Sequence, residues 1–393
     1  MSIGKRRYMK RQSNAPQIRF QNFEDEWVKQ SLGKTVEIIM GQSPDSKNYT
    51  DNPNDYILVQ GNADMQNGRV VPRVWTTQIT KLAEKGDLIL SVRAPVGDIG
   101  KTDYNVVLGR GVVAIKGNEF LFQLLTKMKQ SHYWSKFSTG STFESINSND
   151  IKSAEIYLPS IEEQSAIGSL FRTLDDLLTS YKNNLANYQS LKATMLSKMF
   201  PKAGQTIPEI RLDGFEGKWE NKILSEVTNI TMGQSPKSEN YTDNPNDYIL
   251  VQGNADIKDK QVVPRLWTTE VTKMAEIGDI ILTVRAPVGD IGKTDFNVVI
   301  GRGVAAIKGN DFIFFTLEKM KMTGFWNRFS TGSTFESISS NDIKEAIVQL
   351  PTLDEQQAIG AYFSNLDNLI ASHQEKITQL ETLKKKLLQD MFI

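Results

Sequence analysis

The sequence predicts an α+β protein: two β-rich globular domains separated by two long helices that pair antiparallel as a coiled coil. Two observations carry this. The chain is written twice, since 61 of the 78 positions of Met40–Gly117 recur at Met232–Gly309 at a constant offset of 192 residues, without a gap. Within each copy, short β-branched runs broken by Gly, Asn and Pro give way abruptly to an apolar pattern of heptad type. A repeat this long marks duplicated domains with a pseudo-two-fold relation, because solenoid repeats run about 20–50 residues.

The first domain is expected over residues 1–160, with a basic tail over 1–15 (Lys5, Arg6, Arg7, Lys10, Arg11) that reads as solvated chain. Pro16–Trp27 (PQIRFQNFEDEW) recurs as Pro208–Trp219 (PEIRLDGFEGKW). Strands are predicted at Tyr56–Gln60, Arg69–Trp75, Leu88–Arg93 and Val112–Lys116, each bounded by turn residues. Glu119–Phe137 has helical spacing through Phe120, Leu124, Leu125, Met128 and Trp134. A polar loop follows, STGSTFESINSNDI at Ser138–Ile151, which recurs at Ser330–Ile343 with one change in fourteen. A last strand, Ala154–Leu158, stops at Pro159.

A spacer helix is expected over 161–200. Ile167, Leu174, Tyr181, Tyr188 and Met195 hold one heptad position, and Leu170, Leu177 and Leu191 the other. Leu185 and Met199 take up the drift of a 3.6-residue helix against a 3.5-residue repeat. Pro201 and Gly204 end this helix. The second domain follows over 201–352 and the second spacer helix over 353–393, with Ile359, Leu366, Leu380 and Leu387 beside Tyr362, Leu369 and Leu383. Each helix is on the order of 55 Å long at 1.5 Å per residue. Alone, neither can bury such a seam, whereas two copies can bury each other's.

Composition excludes several chemistries. The chain of 393 residues contains no cysteine, which removes disulfides and Cys-ligated zinc or iron–sulfur sites. Its two histidines, His132 and His373, align with Gly324 and Tyr181, so neither belongs to a duplicated triad or metal site, and no metal is expected. Asp51–Tyr56 (DNPNDY) lacks the second proline and the glycine-rich cofactor loop of an amino-methyltransferase and reads as an Asx-Pro turn. The KGDLIL and VGDIGK segments lack the spacing of a phosphate-binding P-loop, and Asp64 and Asp256 have no partner carboxylate at nuclease spacing. Catalysis by this chain is not expected. No window approaches a membrane span, and the N-terminus lacks the apolar run of a signal peptide, so a cytoplasmic protein is expected.

Recognition is better supported. Gln60, Asn62, Arg73, Arg93 and Arg110 recur as Gln252, Asn254, Arg265, Arg285 and Arg302. Asn and Gln pair bidentately with adenine edges and Arg with guanine, so these are candidate base readers. Lys47, Lys101, Lys116, Ser141 and Thr142, with Lys293, Lys308, Ser333 and Thr334 in the second copy, are candidate phosphate contacts. The charge balance of 46 basic and 46 acidic residues argues against a large sequence-independent polyanion surface and leaves room for a local basic cleft. The Trp75/Trp267 and Trp134/Trp326 pairs read as core anchors. Asp45/Lys237 and Lys47/Glu239 reverse charge, and Met65–Arg69 differs from Ile257–Gln261 at every position; a surface that both copies use alike excludes these places.

The helix-start pattern LPxxxEQxAIxxxFxxLD (Leu158–Asp175, Leu350–Asp367) and the helix-end pattern LKxxxLxxMF (Leu191–Phe200, Leu383–Phe392) resemble the specificity (S) subunit of type I restriction–modification systems, over nearly the whole chain. The resemblance implies two target recognition domains on a helical spacer. It implies a non-catalytic subunit that binds double-stranded DNA and holds two modification (methyltransferase) subunits. S-adenosylmethionine for adenine-N6 methylation then sits on the modification partner, and ATP and Mg2+ on the restriction/translocase partner, with no cofactor in this chain. Most members carry unlike recognition domains; here they are nearly identical, which predicts an interrupted palindrome as target. The alternative is a stand-alone regulator or decoy of the same fold that occupies palindromic DNA or sequesters modification subunits.

Overall fold

The computed structural model describes residues 14–137, 145–329 and 337–393. Two compact units divide the chain, one running through Lys182 and including Glu375–Ile393, the other spanning Asn183–Gln374.

In the first unit Val28–Ser31 pairs antiparallel with Glu155–Leu158. A six-stranded sheet runs in the order Ile38–Met40, Val112–Ile115, Leu88–Ser91, Ile99–Lys101, Arg69–Val70, Met65–Gln66. A five-stranded sheet runs Tyr49–Thr50, Trp75–Thr76, Tyr56–Val59, Val106–Leu108, Leu82–Ala83. The second unit repeats all three sheets at the same offset. Leu88–Ser91 and Val112–Ile115 are buried at every residue, because successive side chains point to opposite faces and both faces are covered. Ile89, Val112 and Ala114 meet Val59, Val106 and Leu108 of the five-stranded sheet. In the second unit the opposite face shows its partners: Ile280, Leu282, Ala305 and Ile307 pack with Trp219 and Phe312.

Two predicted elements are divided. The strand expected over Arg69–Trp75 is two strands in different sheets, Arg69–Val70 and Trp75–Thr76, with Pro72 between them removing a ladder donor. The helix expected over Glu119–Phe137 ends at Gln130, and Tyr133–Phe137 is a separate 3-10 turn. His132 makes the break, with φ of 55°, where the second copy uses Gly324 at 67°. Trp134 and Trp326 are buried anchors, and Trp75 and Trp267 are half-buried. Gly97, at φ 88°, lies so close to Trp134 that a Cβ there would meet Cδ1 at 2.5 Å.

The spacer helices are Ile161–Lys198 and Leu353–Asp390, 38 residues each. Within the first unit Phe171 meets Phe392, Asp175 accepts from Lys384 at 2.5 Å, and Lys182 pairs with Glu381 at 2.6 Å. One number rises as the other falls, so the segments run antiparallel. The second unit repeats this through Phe363 against Phe200, Asp367 against Lys192, and His373 against Tyr188.

The seam differs from the expected one at its second position. Phe171, Leu178, Lys192 and Met199 are buried there, whereas Leu177 and Leu191 are exposed; Phe363, Ile377 and Met391 likewise replace Tyr362 and the exposed Leu369 and Leu383. From Ile167 the burial steps by four and then three, rather than three and then four. Leu177 and Leu178 are adjacent, and only the partner surface decides between them. Lys192 is buried because Glu318 at 2.9 Å and Asp367 at 2.5 Å receive its ammonium. Burial pushes Lys192 below the ordinary lysine value against those carboxylates, while for the neighbouring Lys260 Glu318 and Asp367 outweigh burial and raise it.

The helix ends complete the domain cores. Phe392 closes an aromatic cluster with Trp27, Phe120 and Phe171, and Phe200 does the same with Trp219, Phe312 and Phe363. Each phenylalanine buried this way contributes roughly 1.5–3 kcal/mol. At the helix start, Gln164 donates to the Pro159 carbonyl at 3.1 Å and accepts from Asn118 at 2.8 Å, which accounts for the glutamine of the helix-start pattern.

Candidate nucleic-acid interface

The candidate readers stand on two loops whose backbones touch. Strand Tyr56–Val59 runs into a turn held by the buried carboxylate of Asp64, whose Oδ2 accepts the N–H groups of Gln60 at 2.7 Å and Gly61 at 3.2 Å. Asp256 repeats both distances on Gln252 and Gly253. Arg73 braces the turn, donating to the Ala63 carbonyl at 2.9 Å with Asp64 3.6 Å away. Arg265 does the same through Ala255 and Asp256.

The second loop is Gly109-Arg110-Gly111, which links Val106–Leu108 of one sheet to Val112–Ile115 of the other. A Cβ on Gly111 would fall 2.1 Å from the Gln60 carbonyl oxygen, and one on Gly41 would fall 2.0 Å from that of Gly109. Only glycine permits this approach. Ser43 Oγ accepts the Arg110 N–H at 3.0 Å, and Ser235 repeats the bond on Arg302 at the same distance. Arg93 bridges to Ser145 and Arg285 to Ser337 as isolated β pairs.

In the second unit Gln252, Asn254, Arg285 and Arg302 line one open cleft of about 620 Å³, with Ser235 and Tyr241 among its other walls. Gln252 Nε2 donates to Tyr241 Oη at 2.7 Å. Among the described residues Arg93, Arg110, Arg285 and Arg302 have exposed side chains with no hydrogen-bond, ion-pair or ring partner. Every other described arginine is engaged: Arg19, Arg69, Arg73, Arg172, Arg211 and Arg265 with carboxylates, Arg328 with aromatic rings. Two unpaired guanidiniums beside two amides make a cleft that donates and accepts hydrogen bonds and favours an anionic ligand.

The other candidates are placed differently. Arg73 and Arg265 brace the turns that follow Gln60 and Gln252, and Arg265 is not among the residues lining the second-unit cleft. Lys101 lies 3.5 Å from Glu119, and Lys293 pairs with Asp311. Lys116 pairs with Glu84 at 2.9 Å and Lys308 with Glu276 at 2.6 Å, and these hydrogen bonds hold both lysines above the ordinary value. Lys47 pairs with Asp45 at 3.3 Å. Ser141, Thr142, Ser333 and Thr334 lie outside the described residues. The divergent stretch Ile257–Gln261 contributes Lys260, which pairs with Glu318 of the helix Asp311–Met322 and with Asp367 of the spacer helix, none of them among the residues lining the cleft. Sequence reasoning missed Ser43, Tyr49 and their copies Ser235 and Tyr241. Their signal was the unchanged GQSP run at Gly41–Pro44 and Gly233–Pro236 and the unchanged tyrosine downstream.

Among the described residues no cluster of three or more His, Cys, Asp or Glu side chains can hold a metal ion, and no helix is long and apolar enough to cross a membrane.

Comparison with known proteins agrees with this architecture. The chain is 29% identical over 281 residues to the putative type I restriction enzyme MjaX specificity subunit of Methanocaldococcus jannaschii, covering 68% of this chain and 66% of that one. It is 22% identical to the MjaVIII specificity subunit of the same organism, covering 68% of each chain. The fold matches the type I restriction-modification system S subunit from M. genitalium with a TM-score of 0.66 at 17% identity, over 96% of this chain and 99% of that one. It also matches a chain from a structure concerned with complex assembly and conformational transition of the type I R-M system, with a TM-score of 0.56 at 24% identity, over 94% and 98%. The model of the type I restriction modification DNA specificity domain matches twice, over residues 24–213 and 216–382, and the chain belongs to that family.

Proposed function

We propose that this chain is the DNA-reading, non-catalytic subunit of a type I restriction–modification complex, and that its two clefts read the same bases in an interrupted palindrome. The observation that carries the reading is the pairing of unengaged arginines with amides in a cleft whose reading residues, Gln60, Asn62, Arg93 and Arg110, recur unchanged as Gln252, Asn254, Arg285 and Arg302. Guanine N7/O6 and adenine N7/N6 edges suit these side chains bidentately. The near-identity of the two copies supports equal half-sites. Adenine-N6 methylation with S-adenosylmethionine belongs to two modification subunits, which take the target base out of the stack. ATP-driven cleavage belongs to restriction subunits. With no net charge of its own, the chain binds DNA tightly only together with these partners.

Methylome sequencing of a host carrying the system tests the target, with two reverse-complementary half-sites expected; two unrelated half-sites would overturn it. Within the assembled complex, Arg110→Ala with Arg302→Ala costs about 1–3 kcal/mol of discrimination per lost bidentate contact. Lys116→Ala with Lys308→Ala leaves the choice of bases unchanged, because these lysines are engaged by Glu84 and Glu276.

A further inference from the structure

Of the twelve residues that line the second cleft, all but Lys237 are the same in the first copy, and there the chain has Asp45. The exception is a reversal of charge. Asp45 caps the turn Ser46–Asn48, its Oδ1 accepting the Lys47 N–H at 3.2 Å, whereas Lys237 makes no side-chain cap on the equivalent turn. The turn therefore gains no side-chain cap from the lysine. Its ammonium lies 3.7 Å from Glu239 in an exposed pair, a weak hold. Glu270 accepts the Lys237 backbone N–H at 2.9 Å, as Gln78 does for Asp45 at 2.8 Å. Neither Glu239 nor Glu270 lines the cleft. With Lys47 opposite Glu239 the cation and anion of the pair change places, and Glu270 puts a further carboxylate beside Lys237 where the first copy has neutral Gln78; of these charged groups only Lys237 lines the second cleft.

We propose that the two clefts hold identical half-sites with unequal strength, Lys237 adding a phosphate contact to the second that Asp45 denies to the first. This rests on the clefts being base-reading surfaces. A phosphate contact carries no sequence information, so it changes how firmly a half-site is held without changing which bases are read. A target symmetric in sequence is thus bound by an asymmetric reader, whose second domain holds its half-site more firmly.

The test uses the full chain assembled with its modification subunits. The probe is a duplex with one half-site of the methylation motif, the other half scrambled, and 5-iodouracil in the intact half. Photocrosslinks are expected mainly on peptides of residues 201–352, and an even split between the domains overturns the proposal. Lys237→Gln is expected to weaken binding up to about fivefold and to lower the salt slope by about 0.9, the value of one phosphate contact. Asp45→Lys is expected to bring first-domain crosslinking up to that of the second. Unchanged affinity and slope in Lys237→Gln also overturn it. Arg93→Ala with Arg285→Ala separates the two ideas. If preference over a random duplex survives there, base reading by the clefts has failed; if it is lost while Lys237→Gln changes nothing, only the inequality has failed.

Discussion

Arg19 holds Glu163 by both carboxylate oxygens, Nε to Oε1 and Nη2 to Oε2 at 2.7 Å each, with the glutamate 1% exposed. Arg211 and Glu355 repeat the fork at 2.8 and 2.7 Å. The pair ties the segment ahead of the first strand to the first turn of the spacer helix, where a carboxylate is also favoured by the helix dipole. The hydrogen bond to Glu163 raises the Arg19 guanidinium above its already high ordinary value. Arg19→Met leaves that carboxylate buried and unpaired, and is expected to cost about 3 kcal/mol in urea unfolding. Adding Glu163→Met should restore most of it. A loss below about 1 kcal/mol would mean that water replaces the guanidinium.

Leu177 and Leu178 are adjacent leucines with opposite fates. Leu178→Ala empties a buried seam position and is expected to cost about 2–4 kcal/mol, while Leu177→Ala, on the exposed side, should cost about 0.5 kcal/mol. Denaturation midpoints of the two variants would rank the positions, and the reverse order would restore the seam first expected from the sequence.

Gly111 and Gly61 make a matched pair of backbone tests. Gly111→Ala forces a Cβ onto the Gln60 carbonyl and must displace the loop that carries Arg110. Site-specific binding by the complex is expected to fall at least tenfold, a loss of about 1.4 kcal/mol. Gly61 has extended backbone, with φ of 179°, and open space beside it, so Gly61→Ala should unfold in urea as the parent does, whereas Gly111→Ala should unfold earlier. Equal midpoints and unchanged binding in Gly111→Ala would mean that the loop yields without moving the arginine.

Lys127 donates to the Phe392 carbonyl at 2.7 Å and Lys319 to that of Pro201 at 2.8 Å, and burial lowers both lysines below their ordinary 10.5. Between the lowered value and 10.5 the unfolded chain binds more protons, so stability rises with pH across that window and is lost as pH falls through the lowered value. Measured against a Lys127→Met, Lys319→Met double variant, the parent should gain stability from neutral pH toward 10.5. A flat difference would show that the carbonyl bonds offset the burial.

The duplication and its abrupt change of period made the architecture legible from residues alone. The seam was legible only in part. Apolar spacing cannot choose between Leu177 and Leu178, and it passes over Lys192, which is buried only because Glu318 and Asp367 arrive from distant elements. Gln60, Asn62, Arg93 and Arg110, the first-copy counterparts of the second unit's cleft residues, stood out as planar polar residues identical in both copies. Residue type could not distinguish them from Arg73, a brace whose role depends on where the Ala63 carbonyl points. Ser43 and Tyr49 were passed over because a hydroxyl by itself points to no particular partner.

The helix ends that close the aromatic cores also set an order of events during synthesis. The second unit, Asn183–Gln374, is continuous in sequence and can close as soon as it has left the ribosome. The first lacks Phe392 in its cluster of Trp27, Phe120 and Phe171 until Glu375–Ile393 has been made, after the whole second unit. The domain translated first is therefore the one finished last. Until then its open core is exposed to chaperones, to proteases and to a second nascent chain offering the same Met-Phe helix end.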